Sequence, residues 1–254
     1  MTDNWARHDV STGGAVHTIT IDKPPGNVID IALCGQLRTA IESAAGSDDG
    51  KVMVLRGAGK HFSFGASVED HLPDKAPAML AAIGGVIRDL IGFPYPTLAG
   101  VQGNCLGGGL ELVLGCGLVI AEKSATLATP EIQLGVLPPA ATALLSGRAA
   151  EEVILTGRSF SAKEARRMGI VNSVVANGDL DAAIEVFVAE HFVPRSALSL
   201  RLATRGVRDS KRAELERRLD ESERLYLEEL LPTHDGVEGI EAFIEKRPPV
   251  WTNA

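Results

Sequence analysis

Aromatic residues and cysteine are both scarce in this chain. Phe, Tyr and Trp make up 4% of 254 residues, so a core has to be assembled from Ala, Val, Leu and Ile. The three cysteines, Cys34, Cys105 and Cys116, are too few and too scattered for a disulfide framework or a zinc site. They read as small, half-buried thiols in a reducing compartment. No apolar run reaches the ~18 residues of a membrane span. The polar stretch Met1–Asp9 lacks the apolar segment of a secretory signal, so a cytoplasmic protein is expected. An excess of positive charge is lacking too. The formal net charge of −8 argues against a general nucleic-acid or membrane-surface binder, because both partners present anionic surfaces. An anionic ligand held by a few local cations and amides stays open. No P-loop, dinucleotide fingerprint or Gly-x-Ser-x-Gly elbow is found. His61 and His71 lack a third ligand at metal-binding spacing, so no metal site is expected.

What the chain does have is glycine, 27 residues of it, with 45% hydrophobic and 23% charged residues. This is a globular balance, long enough for one large domain or a domain with an appendage. Val16–Ile21 alternates as a strand, and Leu33, Leu37, Ile41 and Ala44 place a helix over Ile31–Ala45. Val52–Leu55 reads as a short buried strand. Met79, Leu80, Ile83, Val86, Ile87 and Leu90 mark a second helix, which Pro94 and Pro96 bring to an end. Leu98–Val101 reads as a further strand. The alternation predicts an α/β layer fold. The second half reads as helical at Ala149–Leu155, Ala162–Met168, Leu180–Ala189, Ser210–Leu231 and Val237–Lys246. On the fourth of these, Leu215, Leu219, Tyr226 and Leu230 form one stripe, and Lys211–Arg218 reads as a solvated mixed-charge face.

Three segments carry chemistry. Gly103–Glu111 (GNCLGGGLE) puts three consecutive glycines where a strand turns into a helix. Free N–H groups and the partial positive charge of the helix end suit a developing oxyanion there. Glu111, three residues after Gly108, shares a helix face with that amide. By itself such a turn is equally a tight strand–helix crossing. Lys60–Glu69 (KHFSFGASVE) offers a second amide near Ala66; alone it reads as a surface turn. In Thr129–Gly135 (TPEIQLG), Glu131 sits in an apolar neighbourhood that would raise its pKa and suit a general acid. The plain alternative is a solvated glutamate.

Together with IDKPPGNVI (21–29), ILTGRSFSAKEARRMGIVNSVV and DGVEGIEAFIEKRPPVW, these segments resemble the enoyl-CoA hydratase (crotonase) superfamily over nearly the whole chain. The resemblance implies a ββα spiral core over residues 1–195 and a C-terminal helical trimerisation region over 196–254, assembled as a homotrimer or dimer of trimers. It implies an acyl-CoA substrate, with no further cofactor because coenzyme A belongs to the substrate. It implies an oxyanion hole from the amides of Ala66 and Gly108, with Glu111 accepting a proton from water and Glu131 delivering one to carbon. Family isomerases usually keep one of the two carboxylates and hydratases keep both. Phe64, Ala66 and Val68 would line the adenine pocket, and Phe243 and Lys246 would reach the CoA of an adjacent subunit. His71 is a candidate for the acyl pocket, and Lys23 for a CoA phosphate. A superfamily isomerase or other thioester enzyme, and a non-catalytic CoA-binding relative, are the alternatives. Ser67 and Gly117 stand where the family often has acidic or polar residues. Leu137–Leu145 (LPPAATALL) replaces a glycine-rich stretch and is expected to stiffen the wall beside Glu131. With FSFGASVEDHLP it resembles the cyclohexadienecarbonyl-CoA hydratases of anaerobic aromatic degradation.

Overall fold

A computed structural model describes residues 3–254; Met1 and Thr2, which open the polar N-terminal stretch, lie outside them. The central sheet is built from β1 (Ala6–Ser11), β2 (Val16–Ile21), β3 (Val52–Gly57), β4 (Thr97–Val101), β6 (Leu118–Glu122) and β9 (Ser173–Val175), in the order β1-β2-β3-β4-β6-β9. All neighbours are parallel except the β1–β2 pair. The run VMVL of β3 is apolar throughout because both sheet faces are covered. Met53 and Leu55 point into the main core with α1 (Ile31–Ala45) and α2 (Ala76–Ile91), while Val52 and Val54 point to the opposite side, under α7 (Leu180–His191). Asp30 sets the start of α1 by accepting from the Leu33 amide at 2.9 Å, a cap of the kind worth about 1 kcal/mol.

A second, small sheet holds β5 (Asn104–Leu106), β7 (Thr126–Ala128) and β8 (Phe160–Ser161). Its register brings three chain turns into alignment. Ser63 pairs with Cys105, and Cys105 pairs with Leu127. Each turn runs from the large sheet to the small one and then into helical structure: β3 to Ser63 to α2, β4 to β5 to α3 (Gly108–Gly115), and β6 to β7 to the 3-10 turn Pro130–Leu134. This is the expected ββα spiral.

The remaining helices are α4 (Pro139–Leu144), α5 (Gly147–Thr156), α6 (Ala162–Arg167), α8 (Ala197–Arg224) and α9 (Asp235–Ile244). The charged helix therefore begins at Ala197, where Ser196 accepts from the Ser199 amide, and not at Ser210. Leu198, Leu202 and Val207 on its first half are exposed, so no buried stripe advertises that half. Leu219 and Tyr226 are buried in the main core as the spacing implies, and Ile240 of α9 joins them. The tail thus packs on its own chain. Arg218 is half-buried: it donates to the carbonyls of Thr142 and Leu145, at 2.8 and 2.9 Å, and closes the end of α4. Cys34 and Cys105 are fully buried rather than half-buried. No helix among the described residues is long and apolar enough to cross a membrane.

Candidate active site

The aligned register of the small sheet sets three backbone turns side by side, just beyond Ser63, Cys105 and Leu127. At the first crossing Gly65 has a φ of 93°, and a Cβ there would stand 2.7 Å from the Leu106 carbonyl oxygen. Only glycine allows the two backbones to approach so closely. Ser63 fixes the turn, its hydroxyl accepting from the Gly65 amide at 3.0 Å and donating to the Asn27 carbonyl at 2.7 Å. On either side of Ala66 the backbone is committed to Ile29, through Ile29 N–H to Gly65 O and Ser67 N–H to Ile29 O. The Ala66 amide itself has no acceptor among the described residues. The Gly108 amide, at the first position of α3, has none either. A Cβ built on Gly108 would lie 3.4 Å from the Ala66 nitrogen, so the two free donors are neighbours at the positive end of a helix.

Glu111 projects from the first turn of α3 and is 5% exposed. One carboxylate oxygen accepts from the amides of Ala140 and Ala141, at 2.8 and 3.0 Å. The proline pair thus does more than stiffen a wall. Pro139 starts α4 where its missing N–H costs nothing, and the next two amides of that helix hold Glu111, not Glu131. Glu131 lies in the turn Pro130–Leu134 and is 8% exposed. Its Oε1 stands 2.6 Å from where a Gly107 Cβ would be, and its Oε2 has no partner among the described residues.

Burial pushes both carboxyls up from the ordinary glutamate range. The two α4 amides pull Glu111 part of the way back, whereas the charge of Glu111 pushes Glu131 further up. The anchored Glu111 is thus better stabilised as a carboxylate than the unpartnered Glu131. Glu223 of α8, which also faces this pair, is held by Arg88 at 2.9 Å. Ala66, Gly108, Glu111 and Glu131 all open on one cavity of about 20 Å³, walled by Met79, Leu80, Ile83, Leu137, Pro138 and Leu219. That is room for about one water. A larger groove of about 540 Å³, beside Arg38, Arg88 and Arg212, has no free amide or carboxyl pair. Its arginines are already ion-paired with Asp89, Glu223 and Glu216.

Five of the other sequence candidates are scattered. The Phe64 ring is 44% exposed, lies over Gly26 and is 4.8 Å from the His61 ring. Val68 is half-buried at the start of the 3-10 turn Val68–His71. Phe243 is 57% exposed on α9, with Lys246 just beyond it; neither lines the cavity of its own chain. Lys23 forms an ion pair with Asp30 and lies over the Trp5 ring.

Of the other contributors, His71 is on the cavity wall as the sequence suggested, whereas Leu219 and Glu223 were not legible as site residues. His71 is buried on the cavity wall, its Nδ1 2.9 Å from the Ser67 carbonyl, and burial lowers its pKa and keeps it neutral. Leu219 and Glu223 reach the cavity from the tail. The turn bearing Glu131 is also braced from behind. Gly135, at a φ of 70°, ends it, and a Cβ on Gly135 or Gly239 would stand 2.9 or 2.7 Å from the Trp251 ring. The Trp251 segment is itself stapled to α9, with Asp235 accepting from the amides of Thr252 and Asn253 and Glu238 from that of Val250.

The enoyl-CoA hydratase/isomerase family model matches residues 11–254. A cyclohexa-1,5-dienecarbonyl-CoA hydratase of Thauera aromatica is 38% identical over 98% of this chain and 96% of its own. A carnitinyl-CoA dehydratase of Salmonella enteritidis PT4 is 31% identical, over 95% and 97%. Among solved structures, the carnitinyl-CoA hydratase of Mycobacterium avium superposes with a TM-score of 0.81 at 30% identity, covering 100% of both chains. An enoyl-CoA hydratase/isomerase of Pseudoalteromonas atlantica T6c gives 0.82 at 25% identity, over 98% and 100%. With full-length matches in sequence and in three dimensions, this chain belongs to the enoyl-CoA hydratase/isomerase family.

Proposed function

We propose that this protein adds water across a conjugated carbon–carbon double bond of an unsaturated acyl-CoA thioester, and that the acyl group is a cyclic diene. The observation that carries the reading is the asymmetry of the carboxyl pair, one anchored by two amides and the other without a partner, beside two free amides in a single cavity. The thioester oxygen accepts from the Ala66 and Gly108 amides. Negative charge builds on that oxygen as the water oxygen bonds to the β-carbon, where preorganised donors count most. Glu111 takes the proton that the water releases. Glu131 gives its proton to carbon, which closes the balance, and exchange through the pair restores the starting state. A simple enoyl group takes that proton at the α-carbon. A cyclic dienoyl group hydrated in the 1,4 sense takes it at a ring carbon further from the thioester.

The cyclic substrate is suggested by the likeness to the Thauera aromatica hydratase and by the proline-led wall of Pro138, Pro139 and Ala140 on the cavity. A panel of linear and cyclic CoA thioesters, monitored for mass gain of one water, tests it. The cyclic dienoyl-CoA is expected to turn over at least tenfold faster than crotonyl-CoA, on the order of the discrimination one pocket supplies. A faster crotonyl-CoA reaction sinks the cyclic assignment but leaves hydration standing. Loss of turnover on every thioester sinks both.

We also propose that the protein works as a trimer or dimer of trimers. Phe243, Ile244 and Trp251 form an exposed apolar group on α9 and the segment after it, and the expected contact of Phe243 and Lys246 with CoA needs a neighbouring subunit. Light scattering coupled to gel filtration should return a mass three or six times that of the chain. A monomer that is fully active would rule out this assembly role.

A further inference from the structure

Four buried side-chain polar atoms lack a hydrogen-bond partner among the described residues: Gln102 Oε1, Glu131 Oε2, Ser222 Oγ and Tyr226 OH. Such atoms are uncommon in folded proteins, and each calls for a reason. One of the four is in the reaction cavity, and two are on the helix that reaches it. Leu219 and Glu223 of α8 line the acyl cavity, and Ser222 and Tyr226 continue the same helix face at spacings of three and four residues. The Tyr226 ring is 0% exposed and its centroid is 6.4 Å from the ring of His71, which lines that cavity. His71 cannot satisfy the phenol as a donor. It is neutral, and its Nδ1 proton is spent on the Ser67 carbonyl.

The backbone at this point is unusual. Leu225–Leu230 forms a π turn in which the Leu231 amide donates to the Tyr226 carbonyl at 2.8 Å. A π turn carries one residue more than the α-helical register, and such insertions collect at functional sites because they re-aim a side chain. Glu131 and Tyr226 are also coupled electrically: burial, then the nearby charge of Glu131, raises the phenol pKa. A buried phenol without an acceptor, on the helix that carries Leu219 and Glu223 to the cavity and packed near His71 of its wall, thus accompanies a buried carboxyl oxygen without a donor in that cavity.

We propose that Tyr226 is a positioning residue for Glu131, its phenol donating to Oε2, across one water, as that carboxyl loses its proton. This rests on the reading of Glu131 as the acid. A protonated Glu131 has little need of the donor, whereas the carboxylate formed on proton delivery does, so the contact strengthens as the reaction proceeds. The other charged or titratable groups facing Glu131 are Glu111, the Glu223–Arg88 pair and His71. None of them supplies a donor to Oε2 in the structure.

Tyr226→Phe removes one oxygen and preserves the ring packing. It should lower kcat by ~10- to 100-fold, the range for a hydrogen bond to a charged group, and leave KM within about twofold. Because the donor stabilises the carboxylate, its loss should also move the alkaline limb of the kcat profile to higher pH. In a Glu131→Gln background the same change should have no further effect, since coupled residues are not additive. The proposal is overturned if Tyr226→Phe leaves kcat and the alkaline limb unchanged, or lowers kcat by an equal factor in both backgrounds. If Glu131→Gln itself leaves turnover intact, it is the acid assignment that has failed, which separates the two cases.

Discussion

Replacing Glu131 by glutamine should lower kcat by ~10²- to 10⁴-fold, the usual worth of a positioned acid–base group, while making the protein more stable in alkali. The native protein should show a bell-shaped kcat profile. Activity falls on the acid side as Glu111 takes up a proton, and on the alkaline side as Glu131 loses one. Both limbs should lie above the ordinary glutamate range of about 4.3, because burial raises both groups and the charge of Glu111 raises Glu131 further. The variant should keep the acid limb and lose the alkaline one. For stability the sign is set by linkage. Glu131 holds its proton more tightly folded than unfolded, so its favourable contribution is complete below the unfolded pKa and disappears as pH rises through the folded one. Glutamine has no proton to lose. The gain in stability of the variant should therefore grow toward alkaline pH and reach about 1–3 kcal/mol, the scale of an uncompensated buried polar group. Denaturant titrations across pH measure this directly. Wild-type turnover in the variant, or an alkaline limb that persists, would remove Glu131 from its role.

A single methyl group at Gly107 should be nearly as damaging. Gly107 has φ 49° and ψ −126°, a conformation that side-chain-bearing residues hold only at a cost of about 1–3 kcal/mol. Its Cβ would also land 2.6 Å from the Glu131 carboxylate, inside any normal contact. Gly107→Ala should cut kcat by ~10²-fold or more, through displacement of the acid, and lower the melting temperature by several degrees. Gly59→Ala is the control. Gly59 has a φ of 75° with nothing within 4 Å of its added Cβ, so it carries backbone strain without the collision. It should lose stability and keep activity. Equal kinetic effects at the two glycines would mean that strain alone, not contact with Glu131, is at work.

The sequence was most informative where local chemistry is decisive. The apolar spacing of Leu33, Leu37, Ile41 and Ala44 locates α1, and the alternation in Val16–Ile21 locates β2. The glycine run before Glu111 marks the start of α3 in the same way. The short strands β5, β7 and β8 left no such trace, because two or three residues carry no period and acquire meaning only through the pairing of Ser63, Cys105 and Leu127. That long-range pairing makes neighbours of Ala66, Gly108 and Glu131; the motifs name the residues but say nothing of why they meet. The hold of Ala140 and Ala141 on Glu111 was hidden because it depends on backbone amides exposed at the start of a proline-led helix. Tyr226 was visible as one member of an apolar stripe, and its unpaired hydroxyl could not be seen in a one-dimensional pattern. The first half of α8 escaped because its Leu198, Leu202 and Val207 face outward.

The brace that Trp251 and α9 place behind Glu131 bears on how the molecule can be divided. A fragment ending at residue 195 would contain both free amides and both carboxyls, yet it would lack Leu219, Glu223 and the indole that backs Gly135. Its cavity would stand open along one flank, with the Glu131 carboxyl mounted on a turn that lacks its brace. Chemistry and scaffolding therefore do not separate at the boundary where the helices take over, and the tail is as much a part of the catalyst as the spiral that bears its reactive groups.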